Sequence, residues 1–321
     1  LHAALFAAGV RPGDEVIIPG LTVIMDAYAV LYMNAVPVFA DVELDTFLID
    51  HRDVEKKITK KTKAIITVSW EGVMCDMDEI NKIARKNNLK VVEDTALSIG
   101  SKIGRKFAGT FGDAGTFSFH PVKIITTGEG GAIILKKKKD FLLIKSMKSF
   151  GYDVASPNKR KIPGSYNVNS FGLNYRMSEM EAAIGICELL EIQKKIKIRK
   201  NNYNYFLKKI KNLKNFKIFE IASDKTFVSS YYCLTLILNN KKRSYRDKII
   251  LKMKKLGVQV SIYYPHPVPM LNYYKKKYKY SKNSFLNSSR IAYNSISFPI
   301  APHIKLKDID YMVKQIKNII G

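Results

Sequence analysis

The chain has 321 residues, enough for two domains of about 150 residues each. Its 46% hydrophobic and 26% charged residues exclude a disordered tail, a collagen-like fibre and a disulfide miniprotein. The most apolar stretch, 22–42, is interrupted by Asp26, Asn34 and Pro37, well short of the roughly 18 uninterrupted apolar residues of a membrane span. A soluble protein is expected. The net charge of +26 raises the question of a polyanion partner, but 44 of the 54 basic residues are lysine. A nucleic-acid reader would favour the planar fork of arginine, so the expectation is a solvated basic surface with no specific nucleic-acid partner.

The opening LHAALFAAG reads as a helix ended by Gly9, not as a signal peptide, because no basic segment precedes it and PGDEVIIP follows directly. The chain starts at Leu1 in the first turn of that helix, and the reading is of a fragment whose natural protein extends upstream. Short β-branched runs then alternate with helical patterns as far as Leu135. Strands are expected at 14–19, 36–42, 64–70, 90–94, 114–119 and 130–135. Between them, Met77, Ile80, Ile83 and Ala84 form one helical stripe. This is the α/β pattern of a mainly parallel mixed sheet covered on both faces.

From Ser178 the pattern becomes that of one long helix, with Met180, Ala183, Ile184, Cys187 and Leu190 on one face. The remainder mixes strands, 227–238 and 258–264, with helices, the last carrying Ile309, Met312, Val313, Ile316 and Ile320 at helical spacing. The expected division is a large domain at 1–177, a connecting helix at 178–212 and a smaller α+β domain at 213–321. Cys75, Cys187 and Cys233 have neither zinc-site spacing nor an even count, so no metal is expected and a reducing cytoplasm fits.

Eight of the 18 glycines fall in the segment from Gly100 to Gly131, a sign of tight turns or close backbone approach. Within that segment a strand ends in Ser118, and His120 and Lys123 follow in a turn. A lysine where a strand emerges from a sheet is partly desolvated, which favours its neutral amine and Schiff-base chemistry. Asp94 closes the run KVVED, 29 positions earlier, at the strand end where open α/β sheets bind ligands. Such a carboxylate suits pyridoxal phosphate, whose ring nitrogen it would keep protonated. Helix capping and magnesium binding are competing uses of Asp94. The Ser118 hydroxyl could bind a phosphate oxygen, although taken alone it is an ordinary strand-end serine.

The order PGDEVIIPGLTVIMDAYAVLYMNAVPVFADVELDTFLID, CDMDEINKIARKNNLKVVEDTALSIGS, GTFGDAGTFSFHPVKIITTGEGGAI and FGLNYRMSEMEAAIGICELLE strongly resembles the DegT/DnrJ-type sugar aminotransferases. These are pyridoxal phosphate enzymes of the aspartate aminotransferase fold, fold type I. The likeness is close to about residue 190 and looser through IYYPHPVPML and ISFPIAPHI. It implies that Lys123 forms the Schiff base and moves protons, that Asp94 pairs with the pyridine nitrogen and that Ser118 holds phosphate. It also implies that Asn174 reaches the phosphate of a neighbouring subunit, hence a homodimer with shared active sites. Tyr263, Tyr264 and His266 fall where the family's small domain lines the substrate pocket. The implied reaction moves an amino group, from glutamate, onto a nucleotide-linked keto sugar in the cytoplasm, for amino-sugar, surface polysaccharide or antibiotic biosynthesis.

Two positions depart from the family pattern. Val23 stands where an aromatic residue usually stacks on the cofactor, and Leu97 where Gln or His usually meets its phenolic oxygen. The family's Gly-Thr or Gly-Ser phosphate turn would lie just upstream of Leu1. The dehydratase branch of the family replaces the lysine with histidine; Lys123 argues against that branch, and His120 is three residues out of register. A polyanion-binding protein on a degenerate enzyme scaffold is the alternative from a different class, motivated by the +26 charge and the two departures.

Overall fold

The computed structural model describes residues 1–153, 162–221, 223–224, 226–239, 242–281 and 283–320. Helix α1 (His2–Ala7) stops ahead of Gly9, whose φ of 78° lies in the left-handed region that glycine reaches without a Cβ clash. The chain then alternates through β1 (Glu15–Pro19), α2 (Ile24–Tyr32), β2 (Val36–Ala40), α3 (His51–Lys57), β3 (Thr62–Val68), α4 (Met77–Lys86) and β4 (Lys90–Asp94). Two short strands, β5 (Lys102–Ile103) and β6 (Lys106–Phe107), precede β7 (Ala114–Ser118), β8 (Gly131–Leu135) and α5 (Lys138–Met147).

The strands expected up to Leu135 join one sheet in the order β2-β1-β3-β4-β7-β8. All neighbours are parallel except β7 and β8, which pair antiparallel. Parallel pairing puts the ends of β1, β3, β4 and β7 along one edge, so the segments that follow them meet there. Capping residues fix the flanking helices. Asp50 accepts from the backbone N–H of Arg52 at the start of α3, and Asp76 from that of Glu79 at the start of α4. The apolar stripe of α4, Met77, Ile80, Ile83 and Ala84, is buried as its spacing predicts.

The long helix expected from Ser178 is two helices, α6 (Glu179–Leu190) and α7 (Ile192–Ile210), separated at Glu191. A reciprocal cap starts α6: Ser178 Oγ accepts from Glu181 N–H at 3.2 Å, and Glu181 accepts from Ser178 N–H at 2.7 Å. Glu188 and Lys195 bridge the break at 2.6 Å. Beyond it lie β9 (Phe216–Ile218), β10 (Phe227–Val228), β11 (Leu234–Leu238), α8 (Arg243–Lys255), α9 (Asn272–Tyr278), α10 (Leu286–Asn294), β12 (Ser295–Phe298) and α11 (Leu306–Ile320). Strands β12, β11 and β9 form an antiparallel sheet, while β10 pairs with β5 from the first half of the chain.

The run 227–238 is therefore not one strand. Between β10 and β11, Ser230 N–H donates to Ser101 Oγ at 2.9 Å and Ser230 Oγ to the Leu97 carbonyl at 3.2 Å. These bonds to the 97–101 loop take the place of ladder bonds. Segment 258–264 is not a strand either. Its one pairing is the isolated bridge Ser261↔Ser297, and it turns its tyrosines towards the strand ends of the large sheet. One apolar cluster runs from Ile17 and Trp70 through Tyr203, Leu236 and Phe298 to the buried stripe of α11, so both halves of the chain share it. Each fully buried Leu, Ile or Phe in such a cluster contributes about 1.5–3 kcal/mol over an exposed one.

Candidate active site

Asp94 ends β4, pairs across to Thr116 and is 3% exposed. Its carbonyl accepts from Ser69 N–H at 3.0 Å, and its Oδ1 from Ala96 N–H at 2.9 Å. Ser118 ends the neighbouring strand β7 and is half-buried; its Oγ accepts from His120 N–H at 3.4 Å. The chain turns at His120, where Lys123 N–H donates to the His120 carbonyl at 2.9 Å, and returns as β8. Two strand ends side by side thus bring Asp94, Ser118 and Lys123 to the same sheet edge.

The Lys123 ammonium stands 5.9 Å from the centroid of the Tyr232 ring. Burial pulls its pKa below the ordinary lysine value, against the opposing pull of Asp94 and then Asp26. Tyr232 donates its hydroxyl to the Val122 carbonyl at 3.0 Å, and its ring lies 5.5 Å from that of Tyr263. Tyr264 packs beside Tyr263, with ring centroids 5.8 Å apart. Burial raises the Tyr264 pKa, and the proximity first of Asp94 and then of Asp26 adds to the rise, so Tyr264 lies near the same two carboxyl groups. Both tyrosines therefore join the Lys123 cluster. His266 instead lies 6.0 Å from the Tyr293 ring, its pKa lowered by burial and by Arg243 and Arg246. Asn174 is exposed, in an isolated bridge with Ser149.

Asp26 belongs to the cluster although its sequence context singles it out only as a break in an apolar run. It sits in the first turn of α2, is 0% exposed and accepts a hydrogen bond from the Thr22 hydroxyl, while its Oδ1 has no partner. Burial and the nearby Asp94 raise its pKa well above the ordinary value, which favours its neutral form.

The glycines serve the frame of this edge. Buried Glu93 accepts from the N–H groups of Gly109, Phe111 and Gly112 at 2.9, 2.7 and 2.6 Å, tying the turn under β7. A Cβ on Gly115 would meet the Gly109 carbonyl oxygen at 2.1 Å, so this approach admits only glycine. A cavity of about 460 Å³ lies elsewhere, lined by Glu43, His51, Cys75, Asp76 and Phe111 among others. Lys123 and Asp94 do not touch it. Glu43 and Asp50, which with His51 form a compact donor group, are both paired with Arg52.

A partly buried lysine in the turn after one strand, near a buried carboxylate that ends the adjacent strand, is the arrangement that the family resemblance implies. The sequence profile of the DegT/DnrJ/EryC1/StrS aminotransferase family matches residues 1–317. The chain belongs to that family. The GDP-perosamine synthase of Escherichia coli is 33% identical over 99% of this chain and 82% of its own length. The GDP-perosamine synthase of Caulobacter vibrioides is 36% identical over 81% of this chain and 67% of its own. Among solved structures, a candidate sugar aminotransferase of Streptococcus pneumoniae in its PMP form superposes with a TM-score of 0.92. It shares 24% identity and covers 99% of this chain and 84% of that one, a likeness of fold.

The family is pyridoxal phosphate-dependent, and this aminotransferase has a site to suit. The buried, unpartnered Asp26 Oδ1 and the Asp94 carboxylate offer polar atoms that a cationic ring nitrogen would satisfy. Of the two departures, Val23 is the half-buried N-cap of α2, and Leu97 packs with Phe119, Ile124, Ile125 and Tyr232. Among the described residues no helix is long and apolar enough to cross a membrane.

Proposed function

We propose that this aminotransferase moves an amino group from glutamate onto a keto sugar carried by a nucleotide. The observation that carries the reading is the convergence of Lys123, Asp94 and Asp26 at one sheet edge, walled by Tyr232, Tyr263 and Tyr264. A GDP-linked sugar is the acceptor to test first, since two relatives are named GDP-perosamine synthase.

Pyridoxal phosphate, when bound, supplies an electron sink conjugated to the reacting carbon and a carrier for the amino group. Lys123 would hold it through Nζ and, once displaced by the donor amine, move the α proton with that same nitrogen. Its lowered pKa leaves more of the free amine at neutral pH for this task. Asp94 would keep a proton on the ring nitrogen, with Asp26 neutral beside it so that the pair presents one negative charge to one cation. Ser118 would donate to the phosphate. Tyr263 and Tyr264 would wall the sugar pocket, and His266, which lies with Tyr293, would contribute from its rim.

The reading includes a homodimer in which Asn174 serves the neighbouring subunit. The segment around it presents an apolar surface, with Phe171 75%, Met180 79% and Leu190 80% exposed in the single chain. A cytoplasmic setting agrees with three free cysteines. The decisive experiment loads the protein with pyridoxal phosphate, adds glutamate and follows the conversion of the cofactor spectrum, then offers a panel of nucleotide-linked keto sugars. Spectral conversion followed by an aminated sugar product supports the reading; no conversion with any amino acid overturns it.

A further inference from the structure

Arg199, on α7, is a buried cation without a counter-ion among the described residues. It is 5% exposed, and its Nη1 donates to the carbonyls of Tyr232 and Tyr231 at 2.9 and 3.4 Å. Those carbonyls satisfy one nitrogen and carry no net charge. Nε is buried with no partner, and Nη2 makes no hydrogen bond to protein among the described residues. No carboxylate of the described residues pairs with the guanidinium. The buried Glu71 bonds Thr235 and Ser297 instead. Burying an ion in this way is strongly unfavourable unless something supplies the opposite charge.

The unsatisfied atoms are the right ones for a carboxylate. Nε and Nη2 form one edge of the planar guanidinium, and their two parallel N–H groups match the two oxygens of a carboxylate. Lysine, with a point charge on a flexible stem, has no such edge. Beside Arg199 lies a cavity of about 120 Å³, lined also by Val122, Tyr232, Tyr263 and Ser261, with exposed Gln259 at its mouth. Val122 precedes Lys123, and Tyr232 is the ring over which the Lys123 ammonium stands. Arg199 and the residues that flank Lys123 therefore line one cavity.

We propose that Arg199 binds a carboxylate of the amino-acid donor, and of the 2-oxo acid that the donor becomes. The assignment rests on the aminotransferase reading. It gives the donor site a charged anchor from α7. Because the guanidinium is already desolvated and already fixed by two carbonyls, little is lost in ordering it when the carboxylate arrives.

The test uses the cofactor-loaded protein and glutarate, a dicarboxylate with no amine to react, titrated by calorimetry. Wild-type protein should bind it. Arg199→Gln should weaken binding at least tenfold, and Arg199→Lys should fall between. Because Arg199 also holds two carbonyls, Arg199→Gln can fail to fold, and Gln259→Glu covers that case. A carboxylate at position 259 supplies the missing counter-charge from within, so this variant should melt at a higher temperature and lose glutarate affinity. With glutamate and alanine as donors, a rise in KM for glutamate alone assigns Arg199 to the side-chain carboxylate, and a rise for both assigns it to the α-carboxylate; either supports the proposal. Unchanged glutarate affinity and unchanged donor KM in folded Gln259→Glu overturn it. If wild-type protein still converts its cofactor with glutamate in that event, the aminotransferase reading stands and only the Arg199 assignment falls.

Discussion

Lys123 and Tyr232, 109 positions apart in the chain, are held together by two contacts. The Lys123 ammonium stands over the Tyr232 ring at 5.9 Å, and the Tyr232 hydroxyl donates to the carbonyl of Val122, the residue before the lysine, at 3.0 Å. Tyr232→Phe would keep the ring and remove that hydrogen bond to a solvent-accessible residue, a loss of about 0.5–1.5 kcal/mol of stability. Thermal melting should show it. Borohydride reduction of the cofactor-loaded wild-type protein, followed by peptide mapping, should place the covalent label on Lys123; label on another lysine refutes the assignment.

The two carboxyls of the cluster should respond differently to amide substitution. Asp94→Asn removes the charge that would hold the ring proton and should slow the half-reaction with glutamate by several powers of ten, each about 1.4 kcal/mol of barrier. Burial and Asp94 favour the neutral form of Asp26, so Asp26→Asn should exchange one uncharged group for another and leave the rate within about tenfold. Single-turnover spectra of both variants decide the matter. Equal losses would mean that Asp26 acts as a second anion.

Shared active sites predict complementation. Lys123→Ala and Asn174→Ala proteins should each be inactive, and mixing them under subunit exchange should restore activity, since one site of the mixed dimer carries both residues. Exchange proven by mass spectrometry without recovered activity would count against the role of Asn174.

Glu71 predicts a pH dependence of stability. It is fully buried, burial raises its pKa to about 7, and its bonds to Thr235 and Ser297 only partly oppose that rise. Between the usual carboxyl pKa near 4.5 and about 7 the folded chain holds a proton that the unfolded chain has released. Stability from this group is therefore present at acid pH and declines as pH rises through that window, by about 3 kcal/mol on the order-of-magnitude scale of 1.4 kcal/mol per unit. Above about pH 7 the loss is complete. Urea melts of wild type and Glu71→Gln at pH 5 and pH 8 should show the variant gaining relative stability at the higher pH; parallel curves would show that Glu71 is ionised throughout.

The order of strands and helices as far as Leu135 was legible because local periodicity and punctuation set it. Short apolar runs became β1 to β4, β7 and β8, and Asp50, Asp76 and Ser178 capped helices where such residues usually do. Asp94 and Lys123 could be singled out for the same reason, since each follows a strand and parallel sheets gather strand ends. What the sequence could not carry was pairing across distance. Segment 227–238 has the composition of one strand, yet its middle bonds to the 97–101 loop, and 258–264 turns its tyrosines to the lysine in place of joining a sheet. In the sequence Asp26 is a polar break in an apolar run, and Arg199 is one more cation in a lysine-rich helix. Only the tertiary structure decides that both are buried, because burial is conferred by elements distant in the chain. Once removed from water, an unpaired carboxyl oxygen and an unpaired guanidinium edge acquire a cost that marks them out, and no local pattern records that cost.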